Sequence, residues 1–295
     1  MAELRPDWQS PLRNPDYSSR YPMTHKILAI HDLSGYGNTS LMAIIPLMYH
    51  FGIEVCALPS MLLSANTCFD GYQTLDTSSF MKQSLEHFKQ LNMRFSAIYS
   101  GFLGNPEQVQ TVLEAIDGFS DTPLVMIDPV MADDGLLYSC YPNSMISAMR
   151  ELVKKADIIT PNFTEACFLA DLPAPDNPDG GFSDELCRRL LALGPKELII
   201  TSYPGKENLK SILYLSQTMP EPVHFPYTHI PCFYTGAGDI LSALILIYTL
   251  KGHERMNAIP KAAEFIQMAI SHALARNRDG RAGVLLQELI HDLQI

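Results

Sequence analysis

The chain reads Thr235-Gly236-Ala237-Gly238-Asp239 directly before its longest apolar run, Ile240–Leu250. Two glycines one residue apart leave the backbone free to direct successive N–H groups at one anion, and the N-terminus of the following helix favours negative charge. Asp239 stands in the first turn of that helix, where a carboxylate can cap the helix or act as a general base. Phosphoryl transfer to an alcohol needs an anion site beside a base. The stretch therefore predicts an anion site at Gly236, Ala237 and Gly238 with Asp239 as catalytic base, the alternative being a plain glycine-rich helix start.

Short apolar runs alternate with segments of helical spacing over the rest of the chain. The predicted strands are Lys26–Ile30, Glu54–Leu58, Ala97–Ser100, Leu124–Ile127, Asp157–Ile159 and Glu197–Thr201. Helices such as Leu41–His50 and Ser78–Leu91 are predicted between them. The alternation predicts an α/β fold with a mostly parallel central sheet and helices on both faces. Ile212–Leu215 and Val223–Pro226 are predicted as further short strands, with an antiparallel arrangement left open.

The composition indicates a folded protein with a large core. Of the 295 residues, 47% are hydrophobic and 18% are charged, which argues against intrinsic disorder. Asp and Glu total 32 against 21 for Lys and Arg, giving a formal net charge of −11. A chain this acidic is predicted to bind neither nucleic acid nor an anionic membrane surface. The longest apolar run is also well short of the roughly 20 residues that a membrane-spanning helix needs.

The chain is predicted to consist of a short extension and one domain. Residues 1–22 are polar and contain Pro6, Pro11 and Pro15, which predicts a flexible N-terminal extension. No change of composition divides residues 23–295, so one domain is predicted there. The six cysteines form no Cys-x-x-Cys pair, and a domain of this size needs no disulfides. Reduced thiols and a cytoplasmic location are therefore predicted.

In sheets of this kind ligands bind beyond the carboxyl ends of the strands, so the turns after the strands are candidate binding segments. The first three are His31–Asn38, Ser60–Thr67 and Ser100–Gly104. Their candidate substrate-binding residues are Asp32, Ser34, Ser64, Thr67 and Phe102, which offer a carboxylate, hydroxyls and an aromatic wall. Each turn would equally suit an ordinary connection, because glycine and small hydroxyl residues are frequent in turns.

Two later turns carry candidate metal-binding residues. Asp128–Gly135 contains three carboxylates and begins at the end of a predicted strand. Thr160–Glu165 follows the next strand and contains Asn162 and Glu165. Carboxylate and amide oxygens suit Mg²⁺, held directly or through water. The same residues also suit structural roles, because Asn162 can cap a helix and Glu165 would lie in its first turn.

Taken together, these motifs resemble those of a known superfamily. Thr235–Asp239 resembles the G-[TAS]-G-D anion-site signature of the ribokinase-like kinases, and Asn162–Glu165 matches their N-x-x-E metal motif. The order and spacing of the two motifs agree with that superfamily. Within it the chain is most similar to the pyridoxal kinases, through the stretches Ser60–Thr67, Ser100–Gly104, Asp128–Tyr138 and Ile159–Glu165. The resemblance covers the chain from Lys26 to about Leu250.

The resemblance implies a three-layer α/β/α fold, ATP as phosphate donor with Mg²⁺, commonly a homodimer, and phosphorylation of the 5′-hydroxymethyl group of a B6 vitamer. It makes Asp239 the base, which an ordinary aspartate pKa would keep ionised at pH 7. It places the side chains of Asp128, Asn162 and Glu165 around the metal, largely through water. The residues it implies for the nucleotide site are Asp128, Thr160, Glu165, Thr201, Ser202 and Thr235. Thr67 matches a threonine that contacts the pyridine ring, and Asp32 is expected to pair with a ring nitrogen or hydroxyl.

The chain departs from the pyridoxal kinase pattern at three points. Asn66 stands where the family has His, and Ala132 replaces a Gly. The first turn, Asp32-Leu33-Ser34-Gly35, is closer to that of the hydroxymethylpyrimidine kinases. A hydroxymethylpyrimidine kinase is thus one alternative, and a non-catalytic B6-binding protein is another, although a binder needs no base at Asp239. Its position before the anion site suggests His224–Tyr227 as a cover for the adenine.

Overall fold

The computed structural model describes residues 25–119, 123–205 and 209–294. The extension predicted for residues 1–22 lies outside the described residues, as does the start of the predicted domain at residue 23. Within the described ranges, no helix is long and apolar enough to cross a membrane.

Nine strands form one mixed sheet at the centre of the protein. The strands are β1 (Lys26–Ser34), β2 (Glu54–Leu63), β3 (Thr74–Asp76), β4 (Ala97–Ser100), β5 (Leu124–Ile127), β8 (Ile158–Ile159), β9 (Glu197–Pro204), β10 (Leu209–Ser216) and β11 (Val223–Thr228). Their order across the sheet is β11-β10-β9-β8-β5-β4-β1-β2-β3. The six strands from β9 to β2 are parallel, while β10, β11 and β3 are antiparallel to their neighbours. The predicted mostly parallel sheet is confirmed, with the antiparallel strands at its two edges.

Helices cover both faces of this sheet. They are α1 (Ser40–His50), α2 (Ser78–Gln90), α3 (Pro106–Gly118), α4 (Ser144–Val153), α5 (Phe163–Ala170), α6 (Gly180–Leu193), α7 (Ala237–Leu250), α8 (Arg255–Ala275) and the short α9 (Leu286–Leu289). Apolar residues of α2 to α6 pack in one buried cluster, and those of α1, α7 and α8 pack in another. The two clusters lie on opposite faces, which makes the three layers of the predicted α/β/α fold.

Strand β1 shows why the sheet is buried on both sides. Leu28 and Ile30 belong to the first cluster, and Ile27 and Ala29 to the second, and all four are fully buried. Successive side chains of a strand point to opposite faces, so a parallel central strand reads as a continuous apolar run. Each fully buried Ile or Leu contributes roughly 1.5–3 kcal/mol through the hydrophobic effect.

Two predicted turns are partly strand. β1 continues through His31 to Ser34, because residues 31–34 pair with residues 59–63 of β2 across an irregularity in register. β2 likewise runs on to Leu63, where it pairs with β3. The turn between β1 and α1 is therefore shorter than predicted, and Asp32 lies in the last part of a strand. A two-stranded hairpin of β6 (Ala132–Asp133) and β7 (Leu136–Leu137), which was not predicted, follows β5.

Candidate active site

A cavity of about 820 Å³ lies beyond the carboxyl ends of the parallel strands. Most of the residues singled out in the sequence line its wall. They are Asp32, Thr67, Phe102, Asp128, Thr160, Asn162, Glu165, Thr201, Ser202, Thr235, Gly236, Ala237, Gly238 and Asp239. These residues come from turns far apart in the chain, so the sheet is what brings them together.

Two predicted substrate-binding residues do not line the cavity. Ser34 is fully buried, and its hydroxyl donates a hydrogen bond of 3.0 Å to Asp32 Oδ2. Ser64 is exposed, and its Oγ accepts a hydrogen bond of 2.8 Å from the backbone N–H of Gln73. Ser34 therefore orients Asp32 from behind, while Ser64 closes the turn between β2 and β3.

The two glycines of the predicted anion site have different physical reasons to be glycine. Gly236 caps α7 with φ +78°, and a Cβ there would lie 2.1 Å from the carbonyl oxygen of Asn38. Left-handed backbone and close approach both require glycine at that position. A Cβ on Gly238 would meet no described atom within 4 Å apart from its chain neighbours and the backbone of its own helix, and Gly238 lines the cavity. Folding therefore requires Gly236, whereas Gly238 leaves space beside the helix N-terminus.

Asp239 is held at the start of α7 by a contact from another helix. The backbone N–H of Ser40, the first residue of α1, donates a hydrogen bond of 2.8 Å to Asp239 Oδ2. Burial raises the pKa of Asp239 to about 7, helped by the negative charge of Asp32 and opposed by the Ser40 hydrogen bond. The expectation of an ordinary aspartate pKa is therefore wrong for the ligand-free site. A pKa near neutrality suits a general base, which must be ionised yet able to accept a proton.

Asp128 is buried at the end of β5 and belongs to a small polar cluster under α7. The hydroxyl oxygen of Ser242 lies 3.1 Å from Asp128 Oδ2 and 3.1 Å from Thr160 Oγ1. Burial and the nearby charge of Asp239 raise the pKa of Asp128 well above its usual range, against the lowering effect of the Ser242 hydrogen bond. Ser242 is one helical turn after Asp239, and that spacing is the signal that could have identified it from sequence.

Asn162 and Glu165 form a capping box at the start of α5. Asn162 Oδ1 accepts a hydrogen bond of 2.9 Å from the backbone N–H of Glu165, and Glu165 Oε2 accepts one of 2.8 Å from that of Asn162. Glu165 Oε1 also accepts a 3.0 Å hydrogen bond from the N–H of Met131, just before the β6–β7 hairpin. Burial, then the charge of Asp128, raises the pKa of Glu165. Both residues therefore have the structural role that the sequence left open, and both still line the cavity.

The cavity wall carries many more acidic than basic side chains, which favours binding of a cation. The carboxylates that line it belong to Asp32, Asp128, Asp133, Asp134, Glu165 and Asp239, and in the described part of the chain Lys210 is the only Lys or Arg among them. Binding of a triphosphate beside these groups calls for cations, whose charge would also favour the ionised carboxylates against their raised pKa values. No group of three or more His, Cys, Asp or Glu side chains in the described ranges is arranged to hold a metal ion. Carboxyl and amide oxygens of Asp128, Asn162 and Glu165 line the cavity, and such donors suit a Mg²⁺ that keeps several of its waters.

The far part of the cavity differs from the expectation for the adenine. Residues 224–227, suggested as its cover, lie in β11 and do not line the cavity. The wall is instead formed by the segment that follows β11, with His229, Pro231, Cys232 and Phe233. Thr201 and Ser202, which the resemblance places at the nucleotide, border the cavity from β9.

At the other end of the cavity lie Asp32, Thr67 and Phe102. Phe102 stacks on Tyr141, with ring centroids 5.5 Å apart and an interplanar angle of 29°. The arrangement offers a flat apolar surface beside a carboxylate and a hydroxyl, which suits a polar heteroaromatic ring. Ser40 also lines the cavity, but no sequence pattern pointed to it, because its contribution comes from a backbone N–H.

The fold and the cavity together are those of a kinase of the ribokinase-like type, with two glycines and a buried aspartate at the start of one helix. A family model described as phosphomethylpyrimidine kinase matches residues 51–283. The chain is 31% identical over 281 residues to a pyridoxal kinase of Arabidopsis thaliana, covering 88% of this chain and 85% of that protein. The chain belongs to the pyridoxal kinase family of the ribokinase-like superfamily.

Solved structures agree with this assignment. A Bacteroides thetaiotaomicron protein assigned as a phosphomethylpyrimidine kinase, in a crystal form with pyridoxal, is 34% identical, with a TM-score of 0.88 over 92% of this chain and 97% of that one. A pyridoxal kinase of Lactobacillus plantarum is 28% identical, with a TM-score of 0.84 over 91% of this chain and 96% of that one.

Proposed function

We propose that this protein transfers the γ-phosphoryl group of ATP to the 5′-hydroxymethyl oxygen of pyridoxal or a related B6 vitamer, giving pyridoxal 5′-phosphate in salvage of the vitamin. The observation that carries the proposal is Asp239 beside Gly236 and Gly238 at the N-terminus of α7, with its carboxylate held by the N–H of Ser40. The pyridoxal kinases among its relatives support the choice of substrate.

In the proposed reaction Asp239 accepts the hydroxyl proton of the vitamer. The vitamer oxygen then forms a bond to the γ-phosphorus, the bond from that phosphorus to the β-phosphate bridging oxygen breaks, and ADP leaves. The backbone N–H groups from Gly236 to Gly238 stabilise the charge on the transferring group. Asp32, Thr67 and Phe102 hold the ring so that the 5′-hydroxymethyl group reaches Asp239.

Mg²⁺ is the cofactor of this proposal and ATP the co-substrate. When bound, the metal offsets the charge of the triphosphate. Asp128, Asn162 and Glu165 would hold it, largely through its water shell. Thr160, Thr201, Ser202 and Thr235 would border the nucleotide. The excess of carboxylates over cationic side chains in the cavity wall supports this assignment.

A hydroxymethylpyrimidine kinase is the second candidate, because the matching family model is described as phosphomethylpyrimidine kinase, a name that points to a related pyrimidine ring. An assay of ADP release with each alcohol, at matched concentrations and with MgATP, separates the two. A kcat/KM for pyridoxal at least tenfold above that for hydroxymethylpyrimidine supports the proposal, and the reverse order refutes it. ADP release with neither alcohol, together with pyridoxal binding, would identify a non-catalytic binder.

We also propose a cytoplasmic homodimer that binds neither nucleic acid nor membranes. The net charge of −11 supports the last two points. All six cysteines are free, which fits a reducing compartment. Met42 and Tyr49 of α1 are both exposed, and because they are seven residues apart they lie on the same face of the helix. Such an apolar face suits a second copy of the chain. Sedimentation equilibrium at micromolar concentration tests the dimer, and a monomer mass would refute it.

A further inference from the structure

Asn66 lies where four loops of the cavity wall meet. Its side-chain Nδ2 donates a hydrogen bond of 2.7 Å to the carbonyl oxygen of Arg281, and its Oδ1 accepts one of 3.0 Å from the N–H of Cys68. Its own backbone N–H donates to the carbonyl oxygen of Tyr36 at 3.3 Å. Asn66 is buried, whereas its neighbour Thr67 is exposed. The side chain thus points into the protein and fixes the loop that carries Thr67.

The carbonyl of Arg281 also anchors the anion site. Thr235 Oγ1 donates a hydrogen bond of 2.9 Å to the same oxygen, and Asn66 Nδ2 lies 3.5 Å from Thr235 Oγ1. A Cβ on Gly37 would lie only 2.5 Å from Asn66 Nδ2, so the turn after β1 is packed directly against this amide. One carbonyl oxygen therefore joins the segment beside the proposed vitamer site to the segment before Asp239.

We propose that Asn66 is a positioning residue that couples the two substrate sites. A bound nucleotide then tightens the binding of the vitamer, and a bound vitamer tightens the binding of the nucleotide. The ligands named here rest on the proposed function. Both loops are held by the same carbonyl, so a ligand that orders one loop lowers the entropic cost of ordering the other. Such coupling is reciprocal by thermodynamic necessity. Asn66 lines the cavity, but both polar atoms of its amide are hydrogen-bonded within the protein, so we infer that its effect on either ligand passes through the loops.

The first test measures pyridoxal affinity by calorimetry with and without MgADP. In the wild-type protein MgADP is expected to tighten pyridoxal binding on the order of tenfold, within the usual range of such coupling. Asn66→Ala is expected to reduce that ratio to about twofold or less. Asn105→Ala is the matched control, because Asn105 also hydrogen-bonds the backbone, at the start of α3, but does not line the cavity. An equal ratio in the wild type and Asn66→Ala would overturn the proposal.

The second test needs no substrate. Amide hydrogen exchange of residues 235–239 in the ligand-free protein is expected to be roughly tenfold faster in Asn66→Ala and unchanged in Asn105→Ala. Thr235→Val, which removes the other donor to the Arg281 carbonyl, should have the same effect on residues 66–68, and it serves if Asn66→Ala does not fold. Unchanged exchange in both variants contradicts the coupling. If wild-type protein does not bind pyridoxal, the proposed function fails, and the exchange result still decides whether Asn66 links the loops.

Discussion

At the scale of single residues, the proposed proton transfer depends on the carboxylate of Asp239. Asp239→Asn removes the base but keeps an oxygen that can accept the hydrogen bond from Ser40. Loss of a positioned base typically reduces the rate by 10²–10⁴, about 3–5 kcal/mol of barrier, so we expect kcat to fall in roughly that range with ATP affinity largely kept. Steady-state kinetics and nucleotide titration measure the two effects.

The control for this substitution is Asp117→Asn, an exposed carboxylate in α3 that pairs with Lys155. It should leave kcat unchanged. A kcat for Asp239→Asn within threefold of wild type would rule out Asp239 as the base.

Substitutions of the two glycines of the proposed anion site should separate effects on folding from effects on catalysis. Gly238→Ala adds a methyl group that meets no described atom beyond its chain neighbours and its own helix backbone, so we expect unchanged or slightly higher stability, since Ala is the better helix former by about 0.5–1 kcal/mol. The methyl group would occupy space beside the helix N-terminus, and we expect at least a tenfold lower kcat/KM for ATP. Thermal unfolding and steady-state kinetics of the same preparation measure both.

Gly236→Ala is the matched comparison, with the opposite outcome for stability. The left-handed backbone costs an alanine about 1–2 kcal/mol, and the approach to the carbonyl of Asn38 adds to that. The melting temperature should therefore fall. Full activity of Gly238→Ala would mean that no ligand comes close to this part of the helix.

At the scale of elements, α5 and the β6–β7 hairpin are joined by Glu165. Its carboxylate accepts hydrogen bonds from the N–H groups of Asn162 and Met131. Glu165→Gln keeps the shape but places an NH2 group where one carboxyl oxygen accepts a backbone N–H, so one of the two hydrogen bonds is lost and we expect a loss of about 1 kcal/mol in the free energy of unfolding. Urea unfolding measures it, with Glu107→Gln in the exposed first turn of α3 as the control. A stability equal to wild type would show that the capping box contributes little.

The sequence predicted the alternation of strands and helices well, because strands buried on both faces read as short apolar runs. It failed where the tertiary pairing extends an element past its apolar run. His31 to Ser34 look like a polar turn, yet β1 continues there because β2 lies beside it. The β6–β7 hairpin has only two residues in each strand, which is too short for any alternation to show.

The sequence predicted which turns form the candidate site, but not which side chains of those turns face the cavity. Positions after strands were identifiable, since the carboxyl ends of parallel strands meet at one edge. The direction of each side chain was not, so Ser64 was expected at the cavity although it closes a hairpin. The raised pKa of Asp239 could not be predicted either, because it depends on burial and on Asp32, which lies more than 200 positions earlier in the chain.

At the scale of the whole molecule, the ligand-free protein concentrates carboxylates in one cavity at the expense of its stability. Burial and the charge of Asp239 raise the pKa of Asp128, so the folded protein holds a proton that the unfolded chain releases above about pH 4. The free energy of unfolding therefore falls as the pH rises from about 4 toward the raised pKa. Cations that enter with the nucleotide would relieve this repulsion.

Asp128→Asn should remove this pH-dependent loss, because an amide carries no charge to bury and can still accept a hydrogen bond from Ser242. With EDTA present and no ligand, we expect the variant to be more stable than wild type at pH 8 by on the order of 2 kcal/mol, roughly 4–6 °C in Tm. The difference should shrink at pH 5.5, where wild-type Asp128 is protonated. Calorimetric melts at the two pH values measure it, and Asp117→Asn, which changes an exposed carboxylate, should show no such pH-dependent gain. A variant less stable than wild type at pH 8 would mean that the Asp128 carboxylate stabilises the ligand-free fold, and the electrostatic argument for a cation in this cavity would lose its main support.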